Sequence, residues 1–159
     1  MAFTAESSKG LIATVDDVAS RAGAAILAQG GNAVDAAVGA SAVLTVTAQH
    51  MCGMGGDLWA LVYLPGEEPL CLNASGRAGS GADAAKLRAE GHTHMPPFHD
   101  VRAVTIPGCV DGWLALLDRF GQLPPDEVFA PAIDCARNGF APSPLLIEDA
   151  PLIAGVPGA

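Results

Sequence analysis

Three features of this 159-residue sequence predict a layered fold of the α/β (α+β) class. The stretch from Ala33 to about Val46 is built from small and apolar residues on every side. Such a helix belongs inside a domain, covered by neighbours, and not on the surface of a bundle. Two short apolar runs, Leu58 to Leu64 and Leu70 to Ala74, flank a Pro65-Gly66 turn and read as a buried strand and its antiparallel partner. Helical patterns precede and follow that pair. Half the residues are hydrophobic and only 16% are charged, which excludes polar disorder and allows a real core.

The elements follow in order. Gly10 to Thr14 is short, apolar and partly β-branched, so a first strand is expected there. Asp16 or Asp17 then caps a helix running to about Gln29, with Val18, Ala22, Ala25, Ile26 and Gln29 as its inward stripe. Gly30-Gly31 ends it. Asn32 caps the second helix, with Asp35 near its positive end. After a glycine-rich turn come the two strands. A short helix over Asp83 to Arg88, a loop from Gly91 to Val101 and an extended piece over Ala103 to Ile106 follow. Pro107-Gly108 precedes a helix from about Val110 to Phe120, with Trp113, Leu114, Leu116 and Leu117 on its apolar side. Pro124 or Pro125 opens a last helix to Asn138, stopped by Gly139. Beyond it Pro142, Pro144, Pro151 and Pro157 predict the weakest order in the chain.

Seventeen acidic residues against eight basic ones give a net charge of -9. No basic face is present, so no nucleic-acid partner is expected. No run reaches membrane-spanning character; Ala36 to Met54 comes nearest but carries Gln49 and His50, so no membrane association is expected. The N-terminus lacks the pattern of a secretory signal, and a cytoplasmic location is the expectation. Cys52, Cys71, Cys109 and Cys135 form no C-x-x-C pair and read as buried thiols. His92, His94 and His99 cluster in a proline-containing loop without the spacing of a metal site, so neither a metal nor a cofactor is assigned.

Three segments could carry chemistry. Gly30 to Ala37 (GGNAVDAA) reads first as a capped junction between two helices. Gly53-Met54-Gly55-Gly56-Asp57 lies between a helix and a strand, the reverse of the strand–glycines–helix order of a dinucleotide site, and it lacks a P-loop ending; either a tight turn or an approach surface for a ligand fits. Asn73 to Ala78 places Arg77 just past a strand. An arginine there can clamp a carboxylate through two parallel hydrogen bonds, or simply lie solvated. No Ser/His/Asp or Cys/His set and no G-x-S-x-G elbow is legible.

Taken together, the ordered blocks ASRAGAAILAQGGNAVDAAVGASAVLTVTA, CGMGGDLWALVY, SGRA, VTIPGCVDGWLALLDRFGQLP and PAIDCARNGFAPS resemble the N-terminal part of the large subunit of the γ-glutamyltranspeptidase family, over about residues 10 to 147. The resemblance implies a partial N-terminal-nucleophile hydrolase fold, an αββα sandwich, with residues 1–159 forming a single incomplete domain. It implies γ-glutamyl transfer or hydrolysis by a Thr that begins a small subunit after self-cleavage, with the Thr α-amine as base. That Thr junction has no counterpart here, and Thr93-His94 lies in a different block, so no catalytic residue is assigned. The classical family members carry an Arg-Glu-x-Ala-Pro segment whose Arg holds the substrate α-carboxylate, whereas the pattern here looks closer to the branch with Ser-Gly-Arg-Ala. Aligning Ala78-Gly79 with its Ala-Pro puts Ser75 at the Arg position and leaves Arg77 two residues away, on the same side of an extended strand. Arg77 is therefore the one substrate-binding candidate. The implied partners are a small γ-glutamyl or related amide substrate, the remainder of the large subunit, and the small subunit. The alternative reading is a non-catalytic small-molecule-binding module or an inactive gene remnant.

Overall fold

The computed structural model describes residues 4–96 and 100–154. They comprise α1 (Asp17–Ala28), α2 (Ala33–Thr47), β1 (Leu58–Val62), β2 (Leu70–Ala74), α3 (Ala84–Ala89), a 3₁₀ turn at Val101–Ala103, α4 (Cys109–Phe120), α5 (Pro125–Asn138) and α6 (Pro144–Ile153). The chain groups into two compact units, one of residues 1–53 with 113–159 and one of residues 54–112.

In the first unit, α2 packs against both α1 and α5. The Asp16 carboxylate caps α1 by accepting from the N–H groups of Val18 and Ala19. The buried line of α1 is Ala19, Gly23 and Ile26, while Ala25 and Gln29, expected inside, are exposed. Backbone proximity decides this: a Cβ on Gly23 would stand 3.2 Å from the Ala36 carbonyl oxygen and 3.4 Å from the Ala40 Cβ. At that crossing only glycine fits on α1. Gly39 repeats the device on α2, where a Cβ would meet Ile26 Cδ1 at 2.2 Å and the Val128 carbonyl oxygen at 3.0 Å. As expected from its composition, α2 is buried on most sides.

The expected strand over Gly10 to Thr14 is not formed. That segment has no strand partner among the described residues, and without a ladder an apolar run has nothing to fix it as β-structure. Instead the Ile12 side chain packs at Gly23. On α4, Trp113, Leu116 and Leu117 are buried as read, but Leu114 is exposed. The Trp113 indole N–H donates to Ser41 Oγ at 3.2 Å, and its ring lies 5.8 Å from that of Phe129. The tail contains a helix that the prolines concealed. Ser143 Oγ accepts from the Leu146 N–H and Pro144 occupies the first turn, where a missing N–H costs nothing.

Asp35 holds the first unit's chain crossings together. Its carboxylate is fully buried and completes a capping box with Asn32. It also accepts from the Gln122 N–H, at 3.1 Å to each oxygen, across 87 positions of sequence. Asn32 Nδ2 donates to the Phe120 carbonyl at 2.6 Å. GGNAVDAA is thus a cap, as read, that also clamps the α4–α5 connection.

In the second unit β1 and β2 pair antiparallel, Leu58 opposite Ala74 and Leu61 opposite Cys71. The pair is half-buried, not buried. Trp59, Leu61 and Tyr63 alternate outward at 60%, 79% and 66% exposure. The apolar run is long enough to serve two faces, and among the described residues only one of them is partly covered. Among the described residues, no helix is long and apolar enough to cross a membrane.

Removing the buried Asp35 carboxylate leaves the N–H donors of Asn32 and Gln122 without their acceptor. Asp35→Ala should cost about 3 kcal/mol, against about 1 kcal/mol for Asn32→Ala. Urea unfolding midpoints check both; equal, small shifts would remove the clamp.

Candidate functional site

Three of the sequence blocks meet in the second unit. Asn73 Oδ1 accepts from the Ser75 N–H at 3.1 Å and turns the chain at the end of β2. Gly76 follows at φ +76°, a left-handed conformation that favours glycine. A Cβ there would stand 1.8 Å from the Ile106 carbonyl oxygen. The 105–109 segment lies directly against this turn. Thr105 Oγ1 donates to the Ser75 carbonyl at 3.1 Å, and the Ile106 N–H donates to the Arg77 carbonyl at 2.9 Å. Gly108 approaches equally closely, its missing Cβ falling 2.2 Å from the Ala74 carbonyl oxygen. The N–H groups of Gly108 and Cys109, at the start of α4, donate to the Gly56 carbonyl, each at 3.1 Å. Glycine at 76 and 108, together with the Gly56 carbonyl, therefore brings the GGD, SGRA and VTIPGC segments to one corner.

Arg77 projects from that corner. It is exposed, and among the described residues its guanidinium has no hydrogen-bond or ion-pair partner. Its main chain, by contrast, is pinned through its carbonyl. The sequence singled out Gly53–Asp57 and Asn73–Ala78 separately. It did not show that Thr105–Cys109 joins them, although a Pro-Gly dipeptide before a helix was the available signal. The Gly56 main chain offers this corner its carbonyl oxygen, an acceptor, where a phosphate cradle would need donors.

Elsewhere in the unit Arg102 ties a loop shut. Its side chain bonds both oxygens of Asp100, Nε at 2.9 Å to one and Nη2 at 2.6 Å to the other, and Nη1 reaches Glu90 at 2.5 Å. The guanidinium holds the Asp100 carboxyl at about 2 and pulls that of Glu90 below the usual range. A groove of about 450 Å³ runs past this clasp, between Lys86, Leu87, Met95 and Val104. Lys86 stands one turn from the Asp83 cap of α3.

The remaining candidates separate. Cys52 and Cys71 are exposed and Cys135 half-buried, so only Cys109 fits the expected buried thiol. Partial burial pushes the Cys52 and Cys135 thiols up, away from a reactive thiolate, and the nearby Asp134 and Asp16 charges add to this at Cys135. His92 and His94 are on the loop, while His99 lies outside the described residues. Among the described residues, no three His, Cys, Asp or Glu side chains come together as metal ligands. Thr93 Oγ1 contacts the neighbouring His94 Nδ1 at 3.2 Å in an exposed position.

Comparison with known proteins matches residues 19–150 to the γ-glutamyltranspeptidase family profile. The chain belongs to the γ-glutamyltranspeptidase family. It is 40% identical over 133 residues to the glutathione hydrolase-like YwrD proenzyme of Bacillus subtilis, covering 83% of this chain and 25% of that one. It is 37% identical over 150 residues to the acylase ACY 1 proenzyme of a Pseudomonas strain, V22, covering 89% and 27%. The crystal structure of Helicobacter pylori γ-glutamyltranspeptidase superposes with a TM-score of 0.86 at 27% identity, covering 94% of this chain and 44% of that one. The fold is thus a partial α/β fold of the N-terminal-nucleophile hydrolase kind. The chain spans about a quarter of the length of these curated relatives.

Two outcomes test the geometry. Gly76→Ala must displace the Ile106 carbonyl and strain a left-handed turn, so amide exchange at Ile106 should rise at least about tenfold, a factor that about 1.4 kcal/mol supplies; unchanged protection would show that the close approach is not held. Asp100 has a folded-state pKa depressed below the ordinary 3.8. Its contribution is therefore complete above about pH 4 and lost as pH falls through about 2. A carboxyl ¹³C titration should show that low midpoint, and Arg102→Ala should return it to near 4.

Proposed function

We propose that this chain is the N-terminal part of a large subunit and supplies scaffold and one wall of the acyl-donor pocket in an enzyme that hydrolyses or transfers γ-glutamyl or related amides. The attacking Thr belongs to a segment outside it. The observation that carries the reading is the corner where three family blocks converge under an exposed, unpartnered Arg77 guanidinium, set on a backbone that glycines hold rigidly. A planar guanidinium so presented suits a carboxylate on the acyl side of an amide. In this reading Arg77 orients the donor by its carboxylate. The terminal Thr hydroxyl, with its own α-amine as base, attacks the amide carbonyl and expels the amine, and water or a second amine releases the acyl group.

Two further facts support the reading. The curated relatives are named as proenzymes and are about four times as long as the part matched. The outward face of β1 leaves Trp59, Leu61 and Tyr63 bare on a two-stranded sheet, an arrangement that is marginal without further strands or a covering layer. Remaining large-subunit and small-subunit segments are the proposed cover.

The 159-residue chain alone should hydrolyse no γ-glutamyl amide; hydrolysis would place the attacking group within it and overturn the reading. In a full-length parent, Arg77→Ala should raise KM about tenfold or more with little change in kcat, the pattern of lost ground-state binding. Unchanged kinetics would remove Arg77 from the pocket. The isolated chain should also self-associate despite its charge, and Trp59→Lys with Leu61→Lys should raise the monomer fraction seen by light scattering. A monodisperse wild-type monomer would count against a missing cover.

A further inference from the structure

Among the described residues, three buried polar atoms without a hydrogen-bond partner fall close together in sequence: Thr47 Oγ1 and both ring nitrogens of His50. Thr47 is the last residue of α2 and His50 lies in the turn that follows. The imidazole is 2% exposed. Across from it, on α6, Asp149 Oδ2 stands 3.6 Å from Nε2, too far for a hydrogen bond and close enough for an ion pair. All three residues belong to the first unit. Buried polar atoms are nearly always satisfied, so a cluster of unsatisfied ones asks for a cause.

Proton count supplies one. A neutral imidazole has a single N–H and always leaves one nitrogen as an acceptor, whereas the imidazolium has two donors. Here the Asp149 carboxylate can only accept, and a protonated ring brings to that contact a charge that neither neutral tautomer carries. A cation is also favoured just past the end of a helix, where carbonyl oxygens are left over. Asp149 is the only acidic side chain within 4.0 Å of the ring among the described residues. Glu148, beside it on α6, is exposed, and the only other titratable group of the 48–53 turn is the Cys52 thiol.

We infer that His50 and Asp149 form an acid-operated latch. Taking up one proton from solvent turns the Nε2–Asp149 Oδ2 contact into an ion pair and fastens α6 to the end of α2; loss of that proton loosens it. No covalent bond changes. The latch does not depend on the proposed amide chemistry.

Hydrogen exchange of the whole chain at submicromolar concentration, read by mass spectrometry at pH 5.5 and pH 8 and divided by the intrinsic rate at each pH, tests it. Exchange of α6 amides should be about tenfold slower at pH 5.5, the scale of one charge-assisted hydrogen bond, while α1 amides serve as the internal standard. Asp149→Asn, at a partly exposed site, and His50→Gln should each abolish that difference. The other described histidines, His92 and His94, belong to the second unit. Equal α6 protection at both pH values, or a pH response that survives Asp149→Asn, would overturn the latch.

Discussion

One buried carboxylate sets the architecture of the larger unit. Asp35 begins as local chemistry, the third residue of a helix whose N-cap is Asn32. Its second role is distant: the same two oxygens receive the Gln122 N–H, and the Asn32 amide holds the Phe120 carbonyl. A carboxylate buried without such donors would be costly; with them it becomes a junction that only one chain path satisfies. Gly121 shows how tight the junction is, since a Cβ there would stand 2.9 Å from Asp35 Oδ1. The helices α1, α2, α4 and α5 take their places around that point, and α2 sits between α1 and α5 with glycine at each crossing.

Helix positions were largely legible because local signals and tertiary packing agree. Asp16, Asn32 and Gly139 mark boundaries by side-chain or backbone chemistry that acts within a few residues. Two of the failures originate in tertiary contacts that no local signal encodes, and one in a local signal with two meanings. Residues 10–14 have strand propensity but no ladder to join. Periodicity placed Ala25 and Gln29 inside, where the structure buries Ala19 and Gly23 and the crossing with α2 admits only glycine at position 23. The α6 helix was hidden because prolines that punctuate loops also sit comfortably in a first helical turn.

The candidate site divides the same way. Arg77 was visible as an arginine past a strand, and the glycine runs were visible as turns. Their convergence was not, because it depends on the 105–109 segment returning to the hairpin, and no local pattern encodes a meeting across some thirty positions. The Arg77 guanidinium is exposed and without a partner among the described residues, and the turn at Gly76 before it is held by main-chain contacts.

The packing of Gly76 and Gly108 against main-chain carbonyls makes this corner a hard boundary for protein engineering. Two glycines touching backbone leave no slack for insertions or for bulkier residues at those points. Substitution at this corner is confined to other positions, the exposed Arg77 among them, with the course of the polypeptide left as it is.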